Sequence, residues 1–174
     1  MTRRLLIVVI ALVSAFAVLG GGTEASAAGC PGQDRAGAPA AAQERAMLCL
    51  VNGARGARGL VPLATSTALQ RASDRKAGDV LRCDEFSHEA CGREFTYWMT
   101  HFSYSGCREA ENIAWGSGRY ATPRAIFDLW MHSAGHRRNI LGPYRDTGLG
   151  LRVGTLEGNA GAHVWTQEFG SRSC

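Results

Sequence analysis

Two histidines and one glutamate, His88, Glu111 and His136, are the residues whose types best suit chemistry at a shared site. Each lies in a short polar segment flanked by apolar residues, and the three segments are far apart in the chain. Two neutral imidazoles and a carboxylate can hold Zn²⁺ and leave a fourth coordination position open. If the fold gathers the three segments, these side chains line one cleft, and we expect any chemistry there.

We therefore take His88, Glu111 and His136 as candidate ligands of Zn²⁺ or another divalent metal. Such a site needs deprotonated imidazoles, so its occupancy should fall below roughly pH 6. In the alternative interpretation, Glu111 accepts a hydrogen bond from one histidine, and the three residues only tie a loop to the sheet. The sequence leaves both interpretations open.

Ser133 precedes His136 by three residues and suggests a serine hydrolase in which Ser133, His136 and Glu111 act together. We expect instead that its hydroxyl caps the helical turn that begins at Ala134. A nucleophile must be free of such a bond, and the chain has no Gly-x-Ser-x-Gly turn. The sequence argues against this hydrolase, and we assign no residue to catalysis.

Hydrophobic periodicity predicts the elements that would position these residues. Helices are predicted to begin near Gln43, after a Ser66 cap and after a Thr122 cap, with a short helix around Trp98 and a break at Ser133 that places His136 in a new helical turn. Strands are predicted over 111–115, 147–153 and 162–169, with a hairpin turn at 158–161. This order predicts an α+β fold, a three-layer α-β-α sandwich with a small antiparallel central sheet.

The N-terminal residues resemble an export signal. Arg3 and Arg4 precede an apolar run that is too short to span a membrane, and Ala25-Ser26-Ala27 suits cleavage after Ala27. We predict a signal peptide over 1–27, a flexible Ala/Gly/Pro-rich tail over 28–42, one domain over 43–174 and secretion of the mature chain, which has no transmembrane segment. A lipid anchor on Cys30 is the alternative.

The chain has six cysteines, and in a secreted protein an even number of cysteines favours disulfides. We predict a Cys30–Cys49 bridge, which would anchor the tail on the first helix. We also predict a Cys83–Cys91 bridge, which would fix the loop that presents His88. Pairing of each with other partners remains open, because six cysteines allow 15 pairings.

The charge of the chain excludes one class of partner. The formal net charge is +4, and removal of the predicted signal peptide leaves +3. The predicted mature chain has two basic doublets, Arg75-Lys76 and Arg137-Arg138, and no longer basic run, so no basic stretch is long enough to predict nucleic-acid binding. We expect a monomer that binds no nucleic acid.

The chain resembles a known family, the superfamily of cysteine-rich secretory proteins, antigen 5 and plant pathogenesis-related 1 proteins. The domain that these proteins share is called CAP or SCP. The resemblance covers residues 43–174 and is to the bacterial members. It is carried by Cys49-Leu50-Val51-Asn52 with Arg55 and Gly59-Leu60, by Phe86-Ser87-His88, by Glu111-Asn112-Ile113-Ala114, by the segment 130–141 and by Trp165-Thr166-Gln167-Glu168-Phe169-Gly170.

The resemblance implies an α-β-α sandwich with a central cleft lined by two histidines and two glutamates. His88, Glu111 and His136 match three of these positions, and the fourth falls at Ser133, where eukaryotic relatives carry glutamate. The incomplete set puts in doubt any property that depends on a second carboxylate at that position.

The resemblance also implies an extracellular binding or interaction module. Its ligand would be a protein, a lipid or a component of the cell envelope, chosen by loops of the domain, and our candidates are the segments 93–107 and 116–122. The alternative function is a metal-dependent hydrolase that uses His88, Glu111 and His136.

Overall fold

The computed structural model describes residues 29–174. Its helices are α1 (Ala40–Gly56), α2 (Thr67–Arg82), α3 (Tyr97–His101), α4 (Pro123–His132) and α5 (Ala134–Ile140). Its strands are β1 (Ala64–Thr65), β2 (Arg108–Gly116), β3 (Asp146–Leu156) and β4 (Asn159–Ser171), and 3-10 turns cover Ala90–Gly92 and Gly118–Tyr120. None of the helices over 29–174 has the length and apolar composition needed to cross a membrane. The predicted signal peptide lies outside the described residues.

The four strands form one sheet in the order β1-β3-β4-β2. β4 pairs antiparallel with both β3 and β2, and the two-residue β1 pairs parallel with β3. The three predicted strands are present and are longer than predicted. The α+β fold with a small, mainly antiparallel sheet is confirmed.

Helices cover both faces of the sheet because successive residues of a strand point to opposite faces. On one face, Trp165 and Phe169 of β4 pack with Trp130 of α4 and Met47 of α1. On the other face, Val164 belongs to a cluster with residues of α2. The three-layer arrangement is therefore confirmed.

Two glycines let helix α2 approach β3 closely. A Cβ atom built on Gly148 would lie 2.1 Å from the backbone of Leu69, and one on Gly150 would lie 2.4 Å from the backbone of Ser73. No side chain fits at those distances. The alternation of glycine and leucine in β3 thus sets the position of α2, and with it the position of the loop that follows α2.

The hairpin between β3 and β4 turns earlier than predicted. Its two central residues are Glu157, with φ of 48°, and Gly158, with φ of 78°. Positive φ at both positions is what a two-residue type I′ turn requires. The prediction of a turn at 158–161 was wrong, because residues 159–161 already belong to β4.

Two of the three predicted caps lack their hydrogen bond. Thr122 accepts a bond from the backbone N–H of Ala125 at 3.1 Å and begins α4 as predicted. Ser66 and Ser133 occupy the cap positions of α2 and α5, but neither side chain makes a capping bond. The prediction that the Ser133 hydroxyl caps α5 was therefore wrong.

The segment predicted as a flexible tail differs in the structure. Helix α1 begins at Ala40, and residues before it contact the domain. The Gln43 amide donates to the carbonyls of Ala36 and Ala38, and Arg124 donates to both the carbonyl and the side chain of Gln33. These contacts join the segment to α1 and α4, an effect of tertiary packing that its composition did not indicate.

All six cysteines form disulfides. The predicted bridges Cys30–Cys49 and Cys83–Cys91 are both present, and a third joins Cys107 to Cys174. A lipid anchor needs the sulfur of Cys30, which the bridge to Cys49 occupies, so the structure gives that alternative no support.

Candidate functional site

A cavity of about 580 Å³ opens beside β2, the strand at one edge of the sheet. The loop after α2 forms one side of it, and helices α4 and α5 form the other. Both predicted histidines line this cavity. The complete lining is Phe86, Ser87, His88, Glu89, Ile113, Ala114, Trp115, Leu129 and His136.

His88 is tied to the sheet by Glu111. The Nδ1 atom of His88 lies 2.6 Å from Oε1 of Glu111, whose side chain is 1% exposed, whereas the His88 side chain is 53% exposed. A carboxylate oxygen can only accept, so the bond assigns the ring proton to Nδ1. His88 Nε2 makes no hydrogen bond to any residue in the described range.

Two further contacts fix the loop that carries His88. The Cys83–Cys91 bridge closes the loop at its base. Lys76, the only lysine of the chain, is 1% exposed, and its ammonium group donates to the backbone carbonyl of His88. The backbone of His88 and its Nδ1 atom are therefore fixed, and the imidazole projects from a constrained loop.

Glu168 is a site residue that the sequence argument missed. The register of β2 and β4 places it directly opposite Glu111, and it is fully buried. Burial raises the pKa of Glu168 well above its ordinary value, the adjacent Glu111 carboxylate raises it further, and the Lys76 charge opposes the rise.

The two carboxyl groups need a shared proton. Oε2 of Glu111 and both oxygens of Glu168 are buried without a hydrogen-bond donor in the described part of the chain. A proton on Glu168 supplies a donor, and Glu111 can then accept it while still pairing with His88. A signal for Glu168 was present in the sequence, since it has the same strand phase as Val164 and Thr166, on the face that α2 covers.

Hydrogen bonds donated by side-chain amides of β2 and α5 position His136 at the cavity. The Asn112 amide donates to the carbonyl of His136 at 3.2 Å, and the Asn139 amide donates to Asn112 Oδ1 at 2.9 Å and to the Glu111 carbonyl at 3.2 Å. Burial lowers the pKa of His136, and the nearby His88 lowers it further. Its Nδ1 atom is buried and has no hydrogen-bond partner in the described part of the chain.

Ser133 lies at the junction of α4 and α5, and it is absent from the cavity lining. Its backbone N–H bonds to the carbonyls of Leu129 and Trp130. The structure thus does not bring Ser133 into the hollow shared by His88 and His136, which agrees with the rejection of a serine hydrolase.

The predicted metal ligands do not form a metal-binding cluster in this conformation. Over residues 29–174, no group of three or more His, Cys, Asp or Glu side chains has a geometry that could hold a metal ion. Glu111 pairs with His88 and contacts Glu168, and Nδ1 of His136 has no hydrogen-bond partner among the described residues. Binding of Zn²⁺ or another divalent metal remains a prediction.

A second hollow adjoins the cavity. It has a volume of about 510 Å³, shares Trp115 and Leu129 with the first, and includes Ser117 and Tyr120 from the predicted rim segment 116–122. The other predicted rim segment lies elsewhere, because Arg93, Trp98 and Phe102 line a separate cavity on α2.

The chain is similar to known proteins over most of its described length. The model of the cysteine-rich secretory protein family, CAP, matches residues 48–169. The uncharacterized protein YkwD of Bacillus subtilis (strain 168) is 35% identical over 130 residues, which are 74% of this chain and 47% of that protein. The chain therefore spans about half the length of this curated relative.

Solved structures share the fold at low sequence identity. An extracellular protein of Bacillus anthracis that contains an SCP domain superposes with a TM-score of 0.65 at 20% identity, over 76% of this chain and 41% of that one. An outer surface protein of Borrelia burgdorferi gives 0.62 at 15% identity, over 73% and 90%. At these identities the likeness concerns the fold alone.

Proposed function

The chain belongs to the cysteine-rich secretory protein (CAP) family, and on that premise we propose that it is a secreted binding module that holds an extracellular ligand in the cavity beside β2. The ligand has an apolar body and a polar group that hydrogen-bonds with the two histidines. His88 and His136 are the residues that select this polar group.

The observation that carries the proposal is the contrast between the walls of the cavity and its two imidazoles. Ile113, Ala114, Trp115 and Leu129 line it with apolar surface. Two apolar rim side chains face solvent, since Phe86 is 38% exposed and Leu129 is 49% exposed. Ligand sites commonly combine such apolar walls with a few placed polar groups.

The free nitrogen atoms define what the polar group must do. With its proton on Nδ1, His88 offers Nε2 as an acceptor at the half-exposed side of the ring. Nδ1 of His136 is also unpartnered. A hydroxyl or a protonated amine on the ligand can donate to Nε2 of His88 directly, and to Nδ1 of His136 once that ring turns toward the cavity. The second bond would recover the cost of an unsatisfied buried polar atom.

Secretion is supported by the three disulfides, because disulfides persist in oxidising compartments. Mass spectrometry of the mature protein tests this part. Cleavage after Ala27 is expected, and a diacylated Cys30 would contradict it.

Thermal-shift titration tests the binding site, with long-chain alcohols, monoacylglycerols and sphingoid amines as probes. A probe at a hundred times its Kd should stabilise the protein by about 2.7 kcal/mol, a shift of several degrees. We expect the shift in the wild type and its loss in His88→Ala and in His136→Ala.

His101→Ala is the matched control, because His101 is exposed and absent from this cavity. It should keep the full shift. The proposal fails if no probe shifts the wild type, or if the shift is the same in all four proteins.

A metal-dependent hydrolase is the second candidate, favoured by the unpartnered Nδ1 of His136 beside His88. Elemental analysis of protein purified without chelator distinguishes the two. About one equivalent of zinc, lost in the His88→Ala, His136→Ala double variant with unchanged circular dichroism, would support the metal site. A metal-free wild type supports the binding module.

A further inference from the structure

A third cavity, separate from the histidine site and from the hollow that adjoins it, lies on the outer side of α2. It has a volume of about 690 Å³ and is bounded by α2, by the segment through α3 and by Arg152 of β3. Its lining shares no residue with the cavity beside β2. It is notable for its charge, because five arginines line it: Arg71, Arg75, Arg82, Arg93 and Arg152.

Only part of this positive charge is balanced within the cavity. Asp79 pairs with Arg82 and Arg93, both at 2.8 Å, and Asp74 pairs with Arg152 at 3.2 Å. Two aspartates against five arginines leave a formal charge of +3. Arg71 and Arg75 form no ion pair with any residue of the described range.

Asp79 has no capacity left for these two arginines. It also accepts a hydrogen bond from Trp98 Nε1 at 2.8 Å. Burial alone would raise the pKa of Asp79, but the bonds from Arg82, Trp98 and Arg93 lower it below its ordinary value. The carboxylate is thus ionised and fully used in holding α3 against α2.

Aromatic rings hold the free guanidinium groups in place. The Arg71 guanidinium lies 4.2 Å from the centre of the Phe102 ring, and that of Arg75 lies 5.8 Å from the centre of the Trp98 ring. Arginine stacks on aromatic faces without giving up its in-plane N–H donors. A cation–π contact uses no N–H donor, so both guanidinium groups keep their donors for a ligand.

We propose that this cavity, which we call the arginine cavity, binds an anion that carries more than one phosphate group. A guanidinium fork matches phosphate oxygens in a bidentate manner. Three unbalanced charges and a volume far larger than one phosphate indicate several anionic groups.

Tripolyphosphate is the test probe, and isothermal titration calorimetry with the full mature chain is the measurement. Arg71→Gln/Arg75→Gln removes both unpaired forks without breaking an ion pair, and glutamine is a good helix former. We expect the affinity to fall by at least tenfold, since each charge-assisted bond lost costs about that factor or more.

Arg35→Gln/Arg58→Gln is the matched control. Both residues are exposed, neither lines the arginine cavity, and the change in net charge is the same. This variant should bind tripolyphosphate like the wild type. Equal losses in the two double variants, or no binding by the wild type, would overturn the proposal.

Arg71→Lys/Arg75→Lys separates a guanidinium site from general electrostatic attraction. Lysine keeps the charge but has no planar fork. We expect the lysine variant to have an affinity for tripolyphosphate between that of the wild type and that of the glutamine variant. Full affinity in the lysine variant would contradict the bidentate geometry.

Vesicles that contain cardiolipin, whose headgroup carries two phosphates, are compared with neutral phosphatidylcholine vesicles to identify the source of the phosphate groups. Sedimentation of the wild type but not of Arg71→Gln/Arg75→Gln with the anionic vesicles would assign it to a lipid headgroup. Tripolyphosphate binding without sedimentation would assign it to a soluble phosphate. His88→Ala should bind tripolyphosphate normally, so this inference and the proposed function can fail separately.

Discussion

Two buried ionisable side chains of this fold, Arg55 and Glu168, differ in how their polar atoms are satisfied. Arg55 of α1 is 2% exposed and donates to the carbonyl oxygens of four residues at 2.7 to 3.1 Å, namely Val61, Ile140, Gly142 and Tyr144. Glu168 of β4 is fully buried, and neither of its carboxyl oxygens has a hydrogen-bond donor in the described range. One side chain is saturated with partners and the other has almost none.

The difference separates structural from functional use of buried charge. Arg55 joins the end of α1 to the turn after α5, and every contact serves the backbone. Four of the seven buried side-chain atoms without partners over 29–174 belong to Glu111, Glu168 and His136. His136 lines the cavity beside β2, and Glu111 and Glu168 lie behind His88 of the same lining. Because unsatisfied buried atoms are costly, their concentration next to this cavity supports a binding role there.

Replacement of Arg55 by alanine should give the largest effect. It leaves several buried carbonyls without donors, and we expect a loss of about 3–5 kcal/mol in the free energy of unfolding. Urea denaturation of the two proteins measures it. Arg58→Ala, a change at an exposed position three residues later, should stay within about 0.5 kcal/mol of wild type. Similar losses in both variants would contradict a specific role for the Arg55 contacts.

Replacement of Glu168 by glutamine should raise the free energy of unfolding at pH 8, opposite to the effect of the Arg55 replacement. The raised pKa means that folding retains a proton on Glu168, so its contribution to stability is present below pH 4.5 and is lost as the pH rises. Glutamine is neutral and can donate to Glu111. At pH 8 we expect a gain on the order of 1 kcal/mol, which disappears below pH 4.5.

Urea denaturation at both pH values, with EDTA present, checks the Glu168 prediction. Glu94→Gln removes the same formal charge at an exposed position and serves as the control. A Glu168→Gln protein that is less stable than wild type at pH 8 would show that the ionised carboxylate is itself stabilising, and the comparison with Arg55 would lose its basis.

The sequence allowed prediction of what depends on local pattern. Periodicity, spacing and resemblance predicted the helix break at Ser133, the loop position of His88, the position of His136 in the following helical turn, two disulfides and the layer order. Glu168 was missed because its importance comes from the register with Glu111, a cross-strand relation that alternation suggests but does not fix. The contacts of the predicted tail with Gln43 and Arg124 were not foreseen, because those two residues lie outside it.

The missing hydroxyl cap at Ser133 has a similar cause. Sequence preference identifies the residue at which α5 begins, but it does not fix the side-chain rotamer that decides whether the hydroxyl reaches a backbone N–H. The metal site was a prediction from residue types alone. In the structure Glu111 accepts a hydrogen bond from His88, as one of the two interpretations expected. It also contacts Glu168, which was not part of the prediction.

The smallest expected effect concerns His136, whose proton uptake differs between the folded and unfolded states. Its pKa is lowered by burial and by His88, so the neutral ring is favoured in the folded state. The associated stability is present above about pH 6.5 and is lost as the pH falls. Between pH 8 and pH 5 the wild type should therefore lose more stability than His136→Gln, by less than about 1 kcal/mol because solvent screens a partly exposed ring.

Glu44 titrates in the same range with the opposite sign, since burial and Asp74 raise its pKa to about 7. Its contribution is lost as the pH rises, but both proteins retain Glu44, so it cancels in the difference between them. The measurement is the urea midpoint across this range in EDTA, with His101→Gln as the control for a solvent-exposed imidazole. Parallel pH profiles for the wild type and His136→Gln would show that the buried Nδ1 atom carries no free-energy cost on protonation, and His136 would then be no better a ligand contact than the exposed histidine.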